Sequence, residues 1–465
     1  MKVEQIYTGC LAEAAYYIES RGEAAIIDPL RETAPYIRRA EKDNAQIKYV
    51  FETHFHADFV SGHVELAQKT GAKIVYGPEA KCEFDCYSAK DGEEFKIGDL
   101  TIRVLHTPGH TLESSTYLLL DENGKEYCIF SGDTLFIGDV GRPDLAIKSD
   151  LTIHDLAGMM YDSLRNKILP LPDHVIVYPA HGAGSACGKN LSKDTFDTLG
   201  HQKEVNYALK QQSKAEFIKA VTDGLTAPPQ YFPLNAMMNK QGARGLDEIN
   251  KEALKGLSPQ EFEDIAIATS ALLLDTRAPQ VFAAGYIPGS INIGVDGQFA
   301  PWVGALITDI RQPILLICEA GREEENIMRL ARVGYDHTLG YLAGGIEAWQ
   351  QSGKSVEKIQ SLSATDFEKE YTNHELNVID IRRPGEYETA HITDVPNKPL
   401  DYINDWIGSL DRDRTCYVHC AGGYRSMIAA SIMRARGFRE VIDIAGGYGA
   451  IAKTGLPKES GVAAV

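Results

Sequence analysis

THFHADFVSGH, residues 53–63, gathers three histidines and one aspartate into eleven positions. It follows the apolar run YVFE (49–52), so His54 and His56 should emerge from the C-terminal end of a strand. Three patterns of the same build lie downstream: TPGHT with His110 after IRVL, SGDT with Asp133 after YCIF, and PAHG with His181 after HVIVY. Metal ligands need fixed positions, and strand ends in a packed sheet supply them. One histidine after a strand is usually structural, but four such signals in order point to a metal site.

Around these motifs, residues 1–250 alternate short apolar runs (AAIIDP, IKYVFETH, AKIVYGP, LTIRVLHTPGH, YCIFSGDT, HVIVYPAHG) with turn signals. Helical patterns such as TAPYIRRAEKD and GHVELAQKTG lie between them. This is an α/β architecture presenting ligands at strand ends. TAPPQYFPLNAMMNKQG (226–242) is rich in Pro, Asn and Gln and reads as a tail leading to a linker. The 465 residues exceed what one hydrophobic core holds, and their length suggests about three domains.

The remainder is an internal repeat. LSPQEFEDIAIATSALLLDTR from 257 is matched by LSATDFEKEYTNHELNVIDIR from 362, pairing Asp275 with Asp380. Cys318 pairs with Cys420, and LAGGIEAW (342–349) with IAGGYGAI (444–451). Short alternating strands and helices in each copy imply a parallel sheet wrapped by helices.

A net charge of −18 argues against nucleic acid or an anionic membrane as partner. The N-terminus carries no visible signal peptide and no segment is apolar enough for a membrane span, so a cytoplasmic location is expected. There the eight cysteines should be reduced, and the lone CxxxC pair Cys82/Cys86 gives little support for structural zinc.

With these motifs in place, residues 1 to about 240 resemble the metallo-β-lactamase superfamily, whose mark is HxHxDH followed by His, Asp and His. The last His of that motif is replaced here by Phe59, leaving only Asp58, His181 and a shared Asp133 for a second metal. That departure resembles the persulfide dioxygenase branch, and GDVGRPDL (138–145) does too. The resemblance implies one Fe(II) per chain held by His54, His110 and Asp133. His56, Asp58 and His181 would then orient these ligands or bind water. Two imidazoles and one carboxylate leave open positions for a thiolate-type substrate and O₂. Arg142 would pair with a substrate carboxylate. Cys187, beside Lys189 in a Gly-rich loop, would relay sulfur as a thiolate.

The second repeat resembles the rhodanese family of sulfurtransferases through VIDIRRPGEYETAHI, CAGGYRS and the following Gly-Gly. Cys420, Ala421, Gly422, Gly423, Tyr424, Arg425 and Ser426 would form an anion-binding nest at a helix N-terminus. The same dipoles favour a nucleophilic thiolate. By this resemblance Cys420 carries a persulfide and Arg425 helps bind the anionic donor. In the first copy, Arg322 comes one place early and Glu323, Glu324 and Glu325 crowd the nest, so that copy reads as degenerate.

The implied architecture is α/β: an N-terminal metallo-β-lactamase αββα sandwich (1–250), then two rhodanese-like α/β domains with parallel sheets (257–356 and 362–465). The implied activity is O₂-dependent oxidation of a low-molecular-weight thiol persulfide to sulfite and thiol, joined to sulfur transfer involving thiosulfate. The thiol carrier and any homo-oligomeric assembly stay open. A zinc-dependent thioester hydrolase of the glyoxalase II kind and a non-catalytic sulfide sensor are the alternatives.

Overall fold

The structure, a computed structural model, describes residues 1–146, 151–210 and 213–461, so the last four positions of the third expected domain lie outside the described residues. It has two compact units, residues 1–248 with 331–334, and residues 249–330 with 335–465.

In the first unit, Lys2–Thr8, Glu13–Ser20, Glu23–Ile27, Gln46–Glu52, Lys73–Tyr76 and Tyr87–Ser88 form one six-stranded sheet in chain order. Asp197–Thr198, Ile176–Pro179, Glu126–Gly132, Ser115–Leu120, Leu100–His106 and Glu94–Ile97 form the second, in that spatial order. Alternating side chains from both sheets interdigitate between them: Tyr16, Ile18, Phe51 and Val75 meet Tyr117, Leu119 and Phe130. The outer faces are covered in turn. Tyr36 and Ala40 of helix Ala34–Lys42 pack on Tyr17, Ile26 and Val50, while Met160 and Phe217 of helices Ile153–Ser163 and Lys214–Thr222 close the other side. This is the αββα sandwich.

Most of the expected tail, 226–242, is a helix instead. Pro233, in the first turn, starts helix Phe232–Gln241, whose Asn235 and Asn239 are buried. Composition misled because asparagine and proline mark loops on average, whereas here proline sits where a helix tolerates it. Cys82 and Cys86 are also not free thiols. They close a five-residue bend as a disulfide, with Cα atoms 6.4 Å apart.

The second unit holds two all-parallel sheets. One runs Gly256–Leu257, Thr338–Leu342, Ile314–Ile317, Leu272–Asp275, Ile291–Asn292, and the other Gln360–Leu362, Val441–Ile444, Cys416–His419, Val378–Asp380. The repeat extends to side-chain detail. Asp275 forks with Arg277, as Asp380 does with Arg382. Asn292 Nδ2 donates to Asp275 O and Arg277 O, and Asn397 Nδ2 to Asp380 O and Arg382 O. Among the described residues no helix is long and apolar enough to cross a membrane.

Candidate metal centre and sulfur-transfer site

Strand Gln46–Glu52 delivers the loop that carries His54 and His56; His110, Asp133 and His181 follow strands Leu100–His106, Glu126–Gly132 and Ile176–Pro179. One donor atom from each of His54, His110 and Asp133 lies within 4.8 Å of the others, and all three residues are buried. Backbone and side-chain contacts fix the imidazoles. His110 Nδ1 meets Arg142 O at 2.9 Å, which turns Nε2 toward Asp133 Oδ2, 3.3 Å away. His54 Nδ1 lies 3.0 Å from Thr53 Oγ1, and that hydroxyl donates to Asp28 Oδ2 at 2.8 Å. Each ring thus has one nitrogen anchored and one free, as metal-bound histidines require. Burial, followed by the neighbouring His56, His110 and His181, pushes His54 well below the ordinary imidazole range.

His110 Nε2, both Asp133 oxygens, Asp58 Oδ1 and His181 Nε2 are buried without a hydrogen-bond partner. Leaving such groups unpaired costs about 1–3 kcal/mol each. A cation between them removes that cost, so these residues fit a metal ion.

His56, Asp58 and His181 form a second buried group with donor atoms within 4.8 Å of one another. The sequence pattern assigns Asp58, His181 and Asp133 to a second ion; the structure brings His56 to that group as well. His56 Nε2 also lies 3.0 Å from Asp28 Oδ1 and 3.4 Å from Glu52 Oε2, both buried. Burial opposes a charge on this ring, but the two carboxylates outweigh it and hold its pKa well above the ordinary value. Phe59, fully buried, lies against His56 with ring centroids 4.3 Å apart.

Two expectations fail here. Arg142 is unavailable to a substrate carboxylate, because its guanidinium forks with Asp144 at 2.6 and 2.8 Å and donates to Ala186 O and Thr226 O. Its role in the site is its carbonyl, on His110. Cys187 is not a thiolate supported by Lys189. The Lys189 ammonium is spent on Ala220 O and Asp223 O, while burial and then Asp58 and Asp133 push the Cys187 thiol well up. The thiol nevertheless falls within reach of Asp133 and His181.

Several residues escaped sequence reasoning. Asn239 donates to His56 O and Phe59 O, both at 2.7 Å, and accepts from Ser61 N–H at 2.8 Å, so it clamps the ligand loop. Asp139 accepts from the Lys189 and Asn190 amides and from Tyr207 Oη, pinning the loop after His181. Its place in GDVGRPD (138–144) is the sequence signal for it. Glu13 is a fully buried carboxyl whose oxygens have no hydrogen-bond partner, and burial raises its pKa well above the carboxylate range.

In the second unit, Cys420 Sγ accepts the Gly423 amide at 3.0 Å and lies 3.6 Å from Ser426 Oγ. Gly423 has φ 103°, a left-handed turn that leads into helix Tyr424–Ala435. Gly447 packs under the loop so closely that a Cβ would stand 2.3 Å from Cys420 O. Arg425 does not face the nest freely: it forks with Glu386 at 2.6 and 2.7 Å. A cavity of about 370 Å³ opens beside Cys420, lined by Gln298 and Trp302 of the first repeat and by Arg383, Glu386, Tyr424 and Arg425 of the second. In the first copy, burial and then Glu323 push the Cys318 thiol up to about 12, and Arg322 is taken by Asp296 and Glu325. The first copy therefore walls the Cys420 pocket.

Residues 8–181 match the metallo-beta-lactamase superfamily, and 258–352 and 363–454 match the rhodanese-like domain. The chain is 33% identical over 177 residues to a cytoplasmic hydroxyacylglutathione hydrolase of Arabidopsis thaliana, covering 37% of this chain and 65% of that one. It is 34% identical over 170 residues to the hydroxyacylglutathione hydrolase of Tolumonas auensis, covering 36% and 60%. The match thus spans less than two thirds of either relative's length. A crystal structure of a metallo-beta-lactamase from Staphylococcus aureus superimposes with a TM-score of 0.64 at 32% identity, over 74% of this chain and 98% of that one. With both donor clusters at strand ends of an αββα sandwich, the chain belongs to the metallo-beta-lactamase superfamily and carries two rhodanese-like domains after that fold.

Proposed function

We propose that the chain is a persulfide dioxygenase joined to a sulfurtransferase. The carrying observation is the pairing of a buried His54, His110, Asp133 set with Phe59 lying against His56 where the superfamily motif has a ligand. Two imidazoles and one carboxylate suit a single non-haem Fe(II), which supplies the redox chemistry that O₂ requires and zinc lacks. The overall reaction balances as RSSH + O₂ + H₂O giving RSH and sulfurous acid; the outer sulfur loses the four electrons that O₂ gains. Arg142 O and the Thr53–Asp28 pair hold the two ligand rings, and the buried surroundings restrict bulk water. At the second site Cys420 passes sulfane sulfur: a cysteine persulfide plus sulfite gives cysteine thiolate plus thiosulfate. The partners are therefore a thiol persulfide, O₂, and sulfite or thiosulfate. Covalent linkage raises the effective concentration of each site's product at the other.

The hydroxyacylglutathione hydrolase relatives and the His56, Asp58, His181 group favour a second reading, a two-metal zinc thioester hydrolase. Metal analysis of anaerobically purified protein separates the two. One iron per chain with persulfide-dependent oxygen uptake, both lost in His110→Ala and Asp133→Ala, supports the dioxygenase. Two zinc ions with thioesterase activity overturn it.

A further inference from the structure

We propose that the Cys420 pocket exchanges sulfur directly with an organic thiol that bears a carboxylate, that Arg383 recognises this carboxylate, and that Trp302 of the first repeat covers the thiol's apolar stem. The proposal rests on the sulfurtransferase reading and adds the substrate class and the residues that select it.

Three observations carry it. The first is size: about 370 Å³ falls in the range of about 300–1,000 Å³ that holds small organic ligands, far more than a five-atom thiosulfate fills. The second is charge. Arg425, which the loop pattern suggests as anion receptor, is neutralised by the bidentate Glu386 contact. Glu386 is kept ionised by that same arginine, so the pair presents little net charge to a ligand. Arg383 is different. Its side chain is 60% exposed, touches Asp401 only at 3.3 Å, and lines the pocket with its guanidinium 5.9 Å from the Trp302 ring. Guanidinium geometry matches a carboxylate bidentately. The third is the wall. Trp302 is 3% exposed yet lines the cavity, and the exposed Gln298 beside it adds a polar group. Tyr424 Oη donates to Gly294 O at 2.7 Å, tying the Cys420 loop to the repeat that bears this wall. An apolar ring, a largely exposed guanidinium held by one 3.3 Å contact to Asp401, and an amide around one cysteine suit an aliphatic stem ending in a carboxylate.

The step is a sulfur transfer without net oxidation. The Cys420 thiolate attacks the outer sulfur of RSSH, a new S–S bond forms at Cys420, the donor's S–S bond breaks, and RS⁻ leaves and takes the proton. Run backward, it loads a thiol with sulfur.

The full-length protein tests this with three donors: glutathione persulfide, which carries carboxylates, cysteamine persulfide, which is cationic, and thiosulfate. Intact mass follows sulfur on Cys420, and initial rates give kcat/KM for each donor. Arg383→Ala should lower the kcat/KM ratio of glutathione persulfide to cysteamine persulfide roughly tenfold, the scale of one charged hydrogen bond, chiefly through KM. Arg383→Glu should push the preference toward cysteamine persulfide, and Arg383→Lys should restore part of the wild-type ratio. A ratio unmoved by all three variants overturns the role of Arg383. Wild type that loads Cys420 from thiosulfate but from neither organic persulfide overturns the substrate class while leaving the sulfurtransferase reading intact. Failure of every donor to load Cys420 overturns that underlying reading instead.

Discussion

Asn239 offers the sharpest test of how the metal loop is held, because one side chain makes three buried contacts with it. Its amide donates to His56 O and Phe59 O and accepts from Ser61 N–H, at 2.7, 2.7 and 2.8 Å. Asn239→Leu leaves two carbonyls and one amide without this partner in a buried setting. At about 1–3 kcal/mol per stranded group, with relaxation and water entry favouring the low end, the loss is about 3–6 kcal/mol. For a unit of this size that is a fall of roughly 6–24 °C in unfolding midpoint. Asn239→Asp keeps the acceptor for Ser61 and loses only the two donated bonds, so it should fall between wild type and Leu. Asn235 supplies the control on the same helix: it is buried too, yet neither of its side-chain polar atoms has a hydrogen-bond partner. Asn235→Leu should therefore be nearly neutral or mildly stabilising. The assay is thermal unfolding of the full chain monitored together with metal release, plus metal content before heating. If Asn239→Leu keeps its metal and its midpoint within about 2 °C of wild type, the clamp is not what positions His56 and Phe59. Equal losses for Asn235→Leu and Asn239→Leu would mean that helix packing, rather than the three hydrogen bonds, is responsible.

Phe59→His should raise metal content above one per chain, because it places a ligand-type ring beside the His56, Asp58, His181 group; unchanged stoichiometry by elemental analysis would show that Phe59 does not limit binding. Cys420→Ser should abolish the added sulfur seen by mass after thiosulfate treatment while persulfide-dependent oxygen uptake continues, and Cys318→Ser should change neither. Label that survives at Cys318 reverses the order of the two repeats. With its pKa pushed up to about 12, Cys318 stays a thiol at pH 8.5, so iodoacetamide should leave it unmodified in the native protein. The same cysteine should react readily once denatured, since an exposed thiol titrates near about 8.5. The sign is fixed: alkylation of native Cys318 should accelerate only toward strongly alkaline pH.

The elements that bear the metal ligands were legible because local pattern alone defines them. Each ligand follows an apolar run of strand length, and each run became a strand. The repeat was legible for the same reason, through Asp275 and Asp380, Cys318 and Cys420, and the two Gly-Gly turns. What stayed hidden depends on pairings across the chain. Asn239 lies 183 residues from His56, and no periodicity announces that its amide reaches back to that carbonyl. Asp28 likewise supports His54 through Thr53 from a turn after another strand. Arg142 and Lys189 were misjudged by one mechanism. A cation near a site in sequence looks available, but Arg142 is taken by Asp144 two residues on and by the distant Ala186 and Thr226 carbonyls, and Lys189 by the distant Ala220 and Asp223 carbonyls.

The two rhodanese-like copies separate scaffold from chemistry within one chain. Both have the Asp–Arg fork and the bridging asparagine that joins strand end to loop, so both meet the hydrogen-bonding demands of the parallel sheet. Their chemistry diverges beyond the strand end that carries the cysteine. At Gly447 the turn presses against Cys420 O and leaves no room for a Cβ, whereas at Gly345 the nearest atom to such a Cβ is a Glu347 carboxylate oxygen at 3.3 Å. The second turn therefore braces the Cys420 loop, whereas the first, at φ 62°, meets only a nearby side chain. The carboxylates Glu323 and Glu325 complete the contrast, one raising the Cys318 thiol and the other occupying Arg322. A copy with an intact scaffold and a disabled loop still has a surface to contribute. Trp302 and Gln298 put that surface beside Cys420.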